Sequence, residues 1–179
     1  MNIDFSENYF ELFGLDVGFD IDESLLGSQR RSLQQSLHPD NFVGGSGAEK
    51  RFSMQAASLV NEAYKVLSEP LQRASYLLKL QNIDLDVETD TRMAPEFLMA
   101  QMEFREELEG IASAADPYAK IDSVRASLQH QVDQVSSQFQ SAFSREDLVQ
   151  AREVTRQWQF LNRLERELDD IEADIDDAG

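Results

Sequence analysis

Apolar residues along this chain recur at intervals of three and four, and strand-like alternation with polar residues is absent, so the pattern predicts helices throughout. Asn8 to Leu15 reads as a short helix. A second runs from Asp22 to about Ser36, with Asp20 or Asp22 as its cap and Leu25, Leu26, Leu33 and Leu37 on its apolar stripe. HPDNFVGGSG then breaks the period. Pro39 biases His38 away from the α region and the glycines oppose renucleation, which makes a loop the expected outcome. From about Ala48 to Ser68, Phe52, Ala56, Leu59, Ala63 and Val66 or Leu67 repeat with helical spacing. The helices on either side of the loop are therefore expected to lie antiparallel, with HPD exposed at one end. After Glu69-Pro70, LQRASYLLKL closes a first domain, residues 1–80.

Gln81 to Ala94, QNIDLDVETDTRMA, lacks helical period and ends at Pro95, a residue suited to the first turn of a helix, so 81–94 reads as a linker. Residues 95–179 read as three helices. Glu96 to Ala114 comes first, and Gly110 inside it carries the helix-interior penalty of about 1 kcal/mol relative to Ala. Tyr118 to about Phe143 follows, with Ile121, Val124, Leu128, Val132, Val135 and Phe139 on one stripe. Ser144 to about Ile175 places Val154, Leu161, Leu164, Leu168, Ile171 and Ile175 together. Short turns between them imply an antiparallel three-helix bundle. The acidic end, DDIEADIDDAG, is expected to fray.

Composition narrows the function classes. The 179 residues include 11 Phe and are 41% hydrophobic, enough for a real core. There are no cysteines and two histidines, so thiolate ligation, disulfides, a cysteine nucleophile and a multi-His metal centre are not expected, and no cofactor is implied. No apolar run approaches a membrane span, and MNIDFSENYFELF lacks the basic and apolar regions of a signal peptide, which points to the cytoplasm with no membrane partner. Net charge is -18, divided as -5 over residues 1–78 and -13 over residues 79–179. Such acidity opposes nucleic-acid phosphate and favours protein partners. Carboxylate pairs such as Glu106-Glu107 and Asp169-Asp170 have no neighbouring nucleophile or base and read as solvated helix faces, so an enzyme is not expected. His130 reads as solvated, Trp158 and Tyr118 as packing residues.

The first helix of the second domain has two apolar faces. At about 100° per residue, Phe97, Phe104, Leu108 and Ile111 share one side, while Leu98, Met99 and Met102 fall opposite, flanked by Glu103 and Glu106. One core stripe in a small bundle cannot absorb both sets, so the second is expected to be partly exposed. It suits an adaptable protein-binding patch, with apolar burial and soft side chains for fit and carboxylates for orientation. On the residues alone, gluing the two domains together suits it almost as well.

His38-Pro39-Asp40, set between two amphipathic helices, resembles the signature of J-domains, co-chaperone modules that stimulate ATP hydrolysis by Hsp70. NYFELFGL resembles the J-domain opening, and LVNEAYKVLSEPLQRASYL the third-helix pattern of Asn-x-Ala-Tyr-x-x-Leu followed by Pro and Arg-Ala. With no Gly/Phe-rich or Cys-rich region, and with FLMAQMEFREELE in a helical second domain, the whole chain resembles the HscB-type J-proteins of bacterial iron-sulfur cluster assembly. The resemblance implies an all-α protein with an N-terminal J-domain and a C-terminal three-helix bundle. It implies contacts to an HscA-type Hsp70 through His38, Pro39, Asp40, Arg30 and Arg31. It also implies binding of an IscU-type scaffold protein through Leu98, Met99, Met102, Glu103, Glu106 and Phe160, the last lying on the flank of its helix's core stripe, where an edge core aromatic is the alternative. Two positions depart from the family: Asn41 stands where a Lys commonly follows HPD, and Gly110 where another acidic residue is usual. The rival readings are a general J-protein delivering unfolded polypeptides, a metal-dependent hydrolase using His38 and Asp40, and a structural adaptor.

Overall fold

Side chains close most helix ends in the first part of the chain. In the computed structural model, which describes residues 3–42, 44–85 and 95–178, α1 spans Tyr9–Leu12 and opens on a capping box. The Asn8 side chain accepts from the N–H groups of Phe10 and Glu11, and the Glu11 carboxylate accepts from the Asn8 N–H. Gly14, at φ +63°, ends it: its N–H donates to the Glu11 carbonyl and that of Leu15 to the Phe10 carbonyl. The helix therefore stops short of the expected Leu15.

α2 spans Glu23–Ser36 and is capped by Asp22, which accepts from the Leu25 N–H at 2.9 Å. Leu26, Leu33 and Leu37 are buried, but Leu25 is 36% exposed because it lies about 100° round the helix from Leu26. The HPD segment is more ordered than a plain loop. Pro39–Phe42 forms a turn of 3-10 helix, in which the Asn41 N–H donates to the His38 carbonyl at 2.9 Å.

α3 spans Gly47–Ser68 and starts at a second capping box, Ser46 with Glu49. The Ser46 N–H, then its hydroxyl, hold the Glu49 carboxyl below its ordinary range. Its deepest residues are Ala56, Val60, Ala63 and Leu67, while Phe52, Leu59 and Val66 are only half-buried, so the core stripe lies slightly to one side of the expected one. α4 spans Pro70–Leu80. Its buried Arg73 donates from Nη1 to the Leu67 carbonyl at 2.8 Å, closing the end of α3. α1, α2 and α4 all pack on α3. Tyr9 stacks on Tyr76 at 4.4 Å and joins α1 to α4.

Contacts divide the chain into two compact units, Met1–Gln81 and Asn82–Gly179. Most of the expected linker, residues 86–94, lies outside the described residues. In the second unit α5 spans Pro95–Glu109, α6 Pro117–Ser144 and α7 Leu148–Ala178, each packed on the other two. α5 ends before Gly110 rather than at Ala114, so Gly110 follows the helix and the interior penalty does not apply. Asp116 caps α6 through the Ala119 N–H. Asp147 caps α7 through the Gln150 N–H, after a turn in which Glu146 takes φ +58°, which is why α7 starts after the expected Ser144. Ile121, Val124, Leu128, Val135, Phe139, Val154, Trp158, Leu161, Leu164 and Leu168 fill the core, with Val132, Ile171 and Ile175 half-buried at its margin.

The acidic end, expected to fray, is helical as far as Ala178. Arg125 on α6 donates to Asp169 at 2.7 Å and also to Glu172, while the Tyr118 hydroxyl donates to Asp176 at 2.8 Å. Tyr118 is 48% exposed, so it ties helices at the surface rather than packing inside. His130 is exposed. Among the described residues there is no strand, no group of three or more His, Asp or Glu that could hold a metal ion, and no helix long and apolar enough to cross a membrane.

Candidate functional site

Two sets of side chains stand out, one in each unit. The first is the HPD turn at the end of the α2–α3 pair. The His38 and Asp40 side chains are 61% and 84% exposed. The Asp40 N–H donates to His38 Nδ1 at 3.3 Å, a contact that needs Nδ1 unprotonated. Asp40 Oδ2 lies 3.5 Å from the same nitrogen, and this becomes an ion pair only on the protonated ring. With the ring neutral, the carboxylate is presented outward and can accept from a cationic group of a partner.

The end of α2 anchors this turn. Asn41 Nδ2 donates to the Gln35 carbonyl at 2.8 Å and to the Ser36 carbonyl at 3.2 Å. From α3, the Ser53 hydroxyl donates to the Leu37 carbonyl at 2.8 Å, and Ser53 is buried. Both side chains bring donors to carbonyls at the end of the helix, where the Gln35 carbonyl also accepts from the His38 N–H at 3.5 Å. Arg30 and Arg31, expected to act alike, differ: the Arg30 guanidinium lies over the Tyr64 ring at 4.0 Å and is half-buried, whereas Arg31 is exposed.

The second set is on α5. Phe104, Leu108 and Ile111 are buried in the bundle and Phe97 is half-buried, while Met99 and Met102 are 63% and 65% exposed, beside exposed Glu103 and Glu106. The two-faced reading of α5 thus holds for these residues. The Leu98 side chain lies outside the described residues. Phe160 departs from its expected place on the surface: it is buried, with its ring edge-on to Phe97 at 5.5 Å, because α5 turns its Phe97 side onto that part of α7. Beside the methionines, Glu103, Glu106, Glu107 and Gly110 line a shallow depression with Lys120 of α6, which pairs with Glu107 at 3.6 Å.

Sequence reasoning noted Asn41 only as a departure from the family pattern, not as an anchor, and missed Ser53 and Lys120 as parts of these sites. For Asn41 a signal existed, a side-chain amide just past a helix end. For Ser53 and Lys120 none did, since only the packed helices bring them to the carbonyl and to the depression.

An exposed, braced HPD turn at the end of a helical hairpin, together with a separate three-helix unit, defines a J-domain protein with a C-terminal helical domain. Comparison with known proteins identifies the lineage. The family model described as HSCB C-terminal oligomerisation domain matches residues 93–169. The co-chaperone protein HscB homolog of Vibrio cholerae serotype O1 is 40% identical over 168 residues, covering 94% of this chain and 98% of the relative. Among solved structures, chaperone HscB from Vibrio cholerae superposes with a TM-score of 0.85 at 39% identity, covering 94% of this chain and 99% of that one. Human co-chaperone protein HscB gives 0.85 at 31% identity, covering 94% and 84%. The chain belongs to the HscB co-chaperone family.

Proposed function

We propose that this protein couples capture of an iron-sulfur cluster scaffold to ATP hydrolysis by a dedicated Hsp70, with no catalytic chemistry of its own. The observation that carries the reading is the HPD turn, exposed at the His38 and Asp40 side chains yet anchored to the helices around it, on a chain of the HscB family. The turn docks on an ATP-bound, HscA-type chaperone. Asp40 offers a carboxylate to a basic side chain there, Pro39 fixes the start of the turn, and His38 supplies a hydrogen-bonding contact. Stimulation is allosteric: the turn binds the hydrolysing state of the chaperone better than the resting one, and this difference in affinity sets its size.

The scaffold, of IscU type, binds α5. Met99 and Met102 supply deformable apolar area, and Glu103 and Glu106 supply orientation. Leu98 belongs to the same helix segment and is assigned to the same surface. Phe160 supports the surface from beneath, as the ring on which Phe97 rests, rather than touching the scaffold itself. Arg31 is the basic contact that α2 offers the chaperone, and Arg30, already engaged with Tyr64, contributes less. Cytoplasmic action alongside these partners follows from the same reading.

The direct test is chaperone ATPase. Asp40→Asn keeps shape and backbone but removes the charge, so stimulation is expected to disappear while helix content and scaffold binding stay at the parent level. Undiminished stimulation by Asp40→Asn would refute the J-domain role.

A further inference from the structure

The position after HPD commonly carries a Lys in J-domains, yet here it is Asn41, whose side chain points back onto α2. Its Nδ2 spans two successive carbonyls, those of Gln35 and Ser36, while its own N–H donates to the His38 carbonyl. One residue therefore ties the far end of the turn both to its beginning and to the helix before it, with His38 and Asp40 in between. Resting on the co-chaperone reading above, we propose that Asn41 is a positioning residue, which holds His38 and Asp40 in the docking conformation before the chaperone arrives.

The amide is suited to this by its chemistry. It carries two N–H donors on one atom, aimed where the last carbonyls of a helix concentrate negative charge. A carboxylate of the same shape would bring acceptors against acceptors at the negative end of the helix dipole. Without the amide the turn samples other conformations, and apparent affinity falls by the fraction of time it spends in the competent one. Once bound, the turn is the same. Loss of Asn41 thus weakens docking without lowering stimulation at saturation, whereas loss of Asp40 removes the stimulation itself.

The experiment titrates the full chain into an HscA-type Hsp70 and reads both the half-maximal concentration and the plateau of ATPase stimulation. Asn41→Ala is expected to raise the half-maximal concentration about three- to tenfold, as loss of a modest hydrogen bond predicts, with the plateau kept. Asn41→Asp is expected to raise it at least as far. Amide hydrogen exchange of residues 38 and 40–42 in the free protein supplies a readout independent of the partner, and should quicken in both variants while the urea midpoint stays close to the parent's. An unchanged half-maximal concentration overturns the inference. So does a lost plateau with unchanged amide exchange, which would make Asn41 a direct chaperone contact. Asp40→Asn, run in parallel, separates the two levels: if it loses stimulation while the Asn41 variants match the parent, only the positioning role fails, and if it keeps stimulation, the co-chaperone reading fails with it.

Discussion

Ser53 is a polar residue in an apolar stripe, and its hydroxyl spans from α3 to the Leu37 carbonyl beside the HPD turn. Removing that donor leaves a carbonyl at a buried site without its side-chain partner, so Ser53→Ala should destabilise the protein by about 1 to 3 kcal/mol. Ser28 supplies the control. Its hydroxyl donates to the Leu25 carbonyl on an exposed face, and Ser28→Ala should stay within about 0.5 kcal/mol of the parent. Urea melts of the two variants test the contrast, and equal effects would mean that the Ser53 bond contributes no more than an exposed one. At this scale the sequence was partly legible. His38, Pro39 and Asp40 announced themselves through their context, but nothing in the chain marks Ser53 as a donor to Leu37 or Arg73 as a donor to Leu67. Those roles exist only once α3 and α4 are packed. Phe160 shows the same limit from the other side, since an aromatic on the flank of a stripe becomes surface or core according to where the next helix places Phe97.

Helix α5 separates binding from stability along one element. Truncating Met99 and Met102 to Ala should weaken the scaffold complex by about 1 to 2 kcal/mol per buried anchor, while changing stability by less than about 1 kcal/mol per site, because these exposed side chains lose little on truncation. Phe104→Ala or Leu108→Ala should do the reverse and destabilise the bundle by about 2 to 5 kcal/mol through cavity formation. Titration calorimetry with the scaffold and urea melts without it measure both quantities on the same proteins. If the methionine variants melt easily and bind normally, the patch is structural, and the scaffold surface must be sought elsewhere on the bundle. The faces of α5 were legible because a 100° period divides Phe104 and Leu108 from Met99 and Met102 without any knowledge of the partner helix. Its end was not, because an apolar residue, Ile111, follows Gly110 and extends the pattern past the point where the helix stops. The acidic end of α7 misled in the opposite direction. Runs of carboxylate suggest fraying, and only Arg125 and Tyr118, more than forty positions away, reveal what holds them.

Charge acts on the scale of the whole chain, and it predicts different salt responses for the two partners. Residues 1–78 carry a net charge of -5 and residues 79–179 a net charge of -13. On α2 the basic side chains are Arg30, stacked on Tyr64, and the exposed Arg31, so under the proposed function long-range attraction to the chaperone is expected to be weak before contact is made. Under the proposed function, docking by the HPD turn is then expected to depend on short-range hydrogen bonds and an ion pair formed on contact, which screening affects less than long-range steering. The half-maximal concentration for ATPase stimulation should consequently change by less than about threefold between about 50 and 200 mM salt, well below the steep losses seen when many charges are engaged at once. Under the proposed function, scaffold binding is expected to respond more strongly, because Glu103 and Glu106 lie on the more acidic part of the chain and would act on cationic groups of the scaffold over the range that salt screens. Measuring both titrations in the same buffers removes differences in protein preparation. A steep salt dependence of ATPase stimulation would show that Arg31, with whatever Arg30 contributes, steers the encounter despite the net negative charge around them, and Arg31→Ala should then flatten that dependence. A flat response of scaffold binding would instead place its affinity in Met99 and Met102 alone, with the flanking carboxylates acting in orientation and not in attraction.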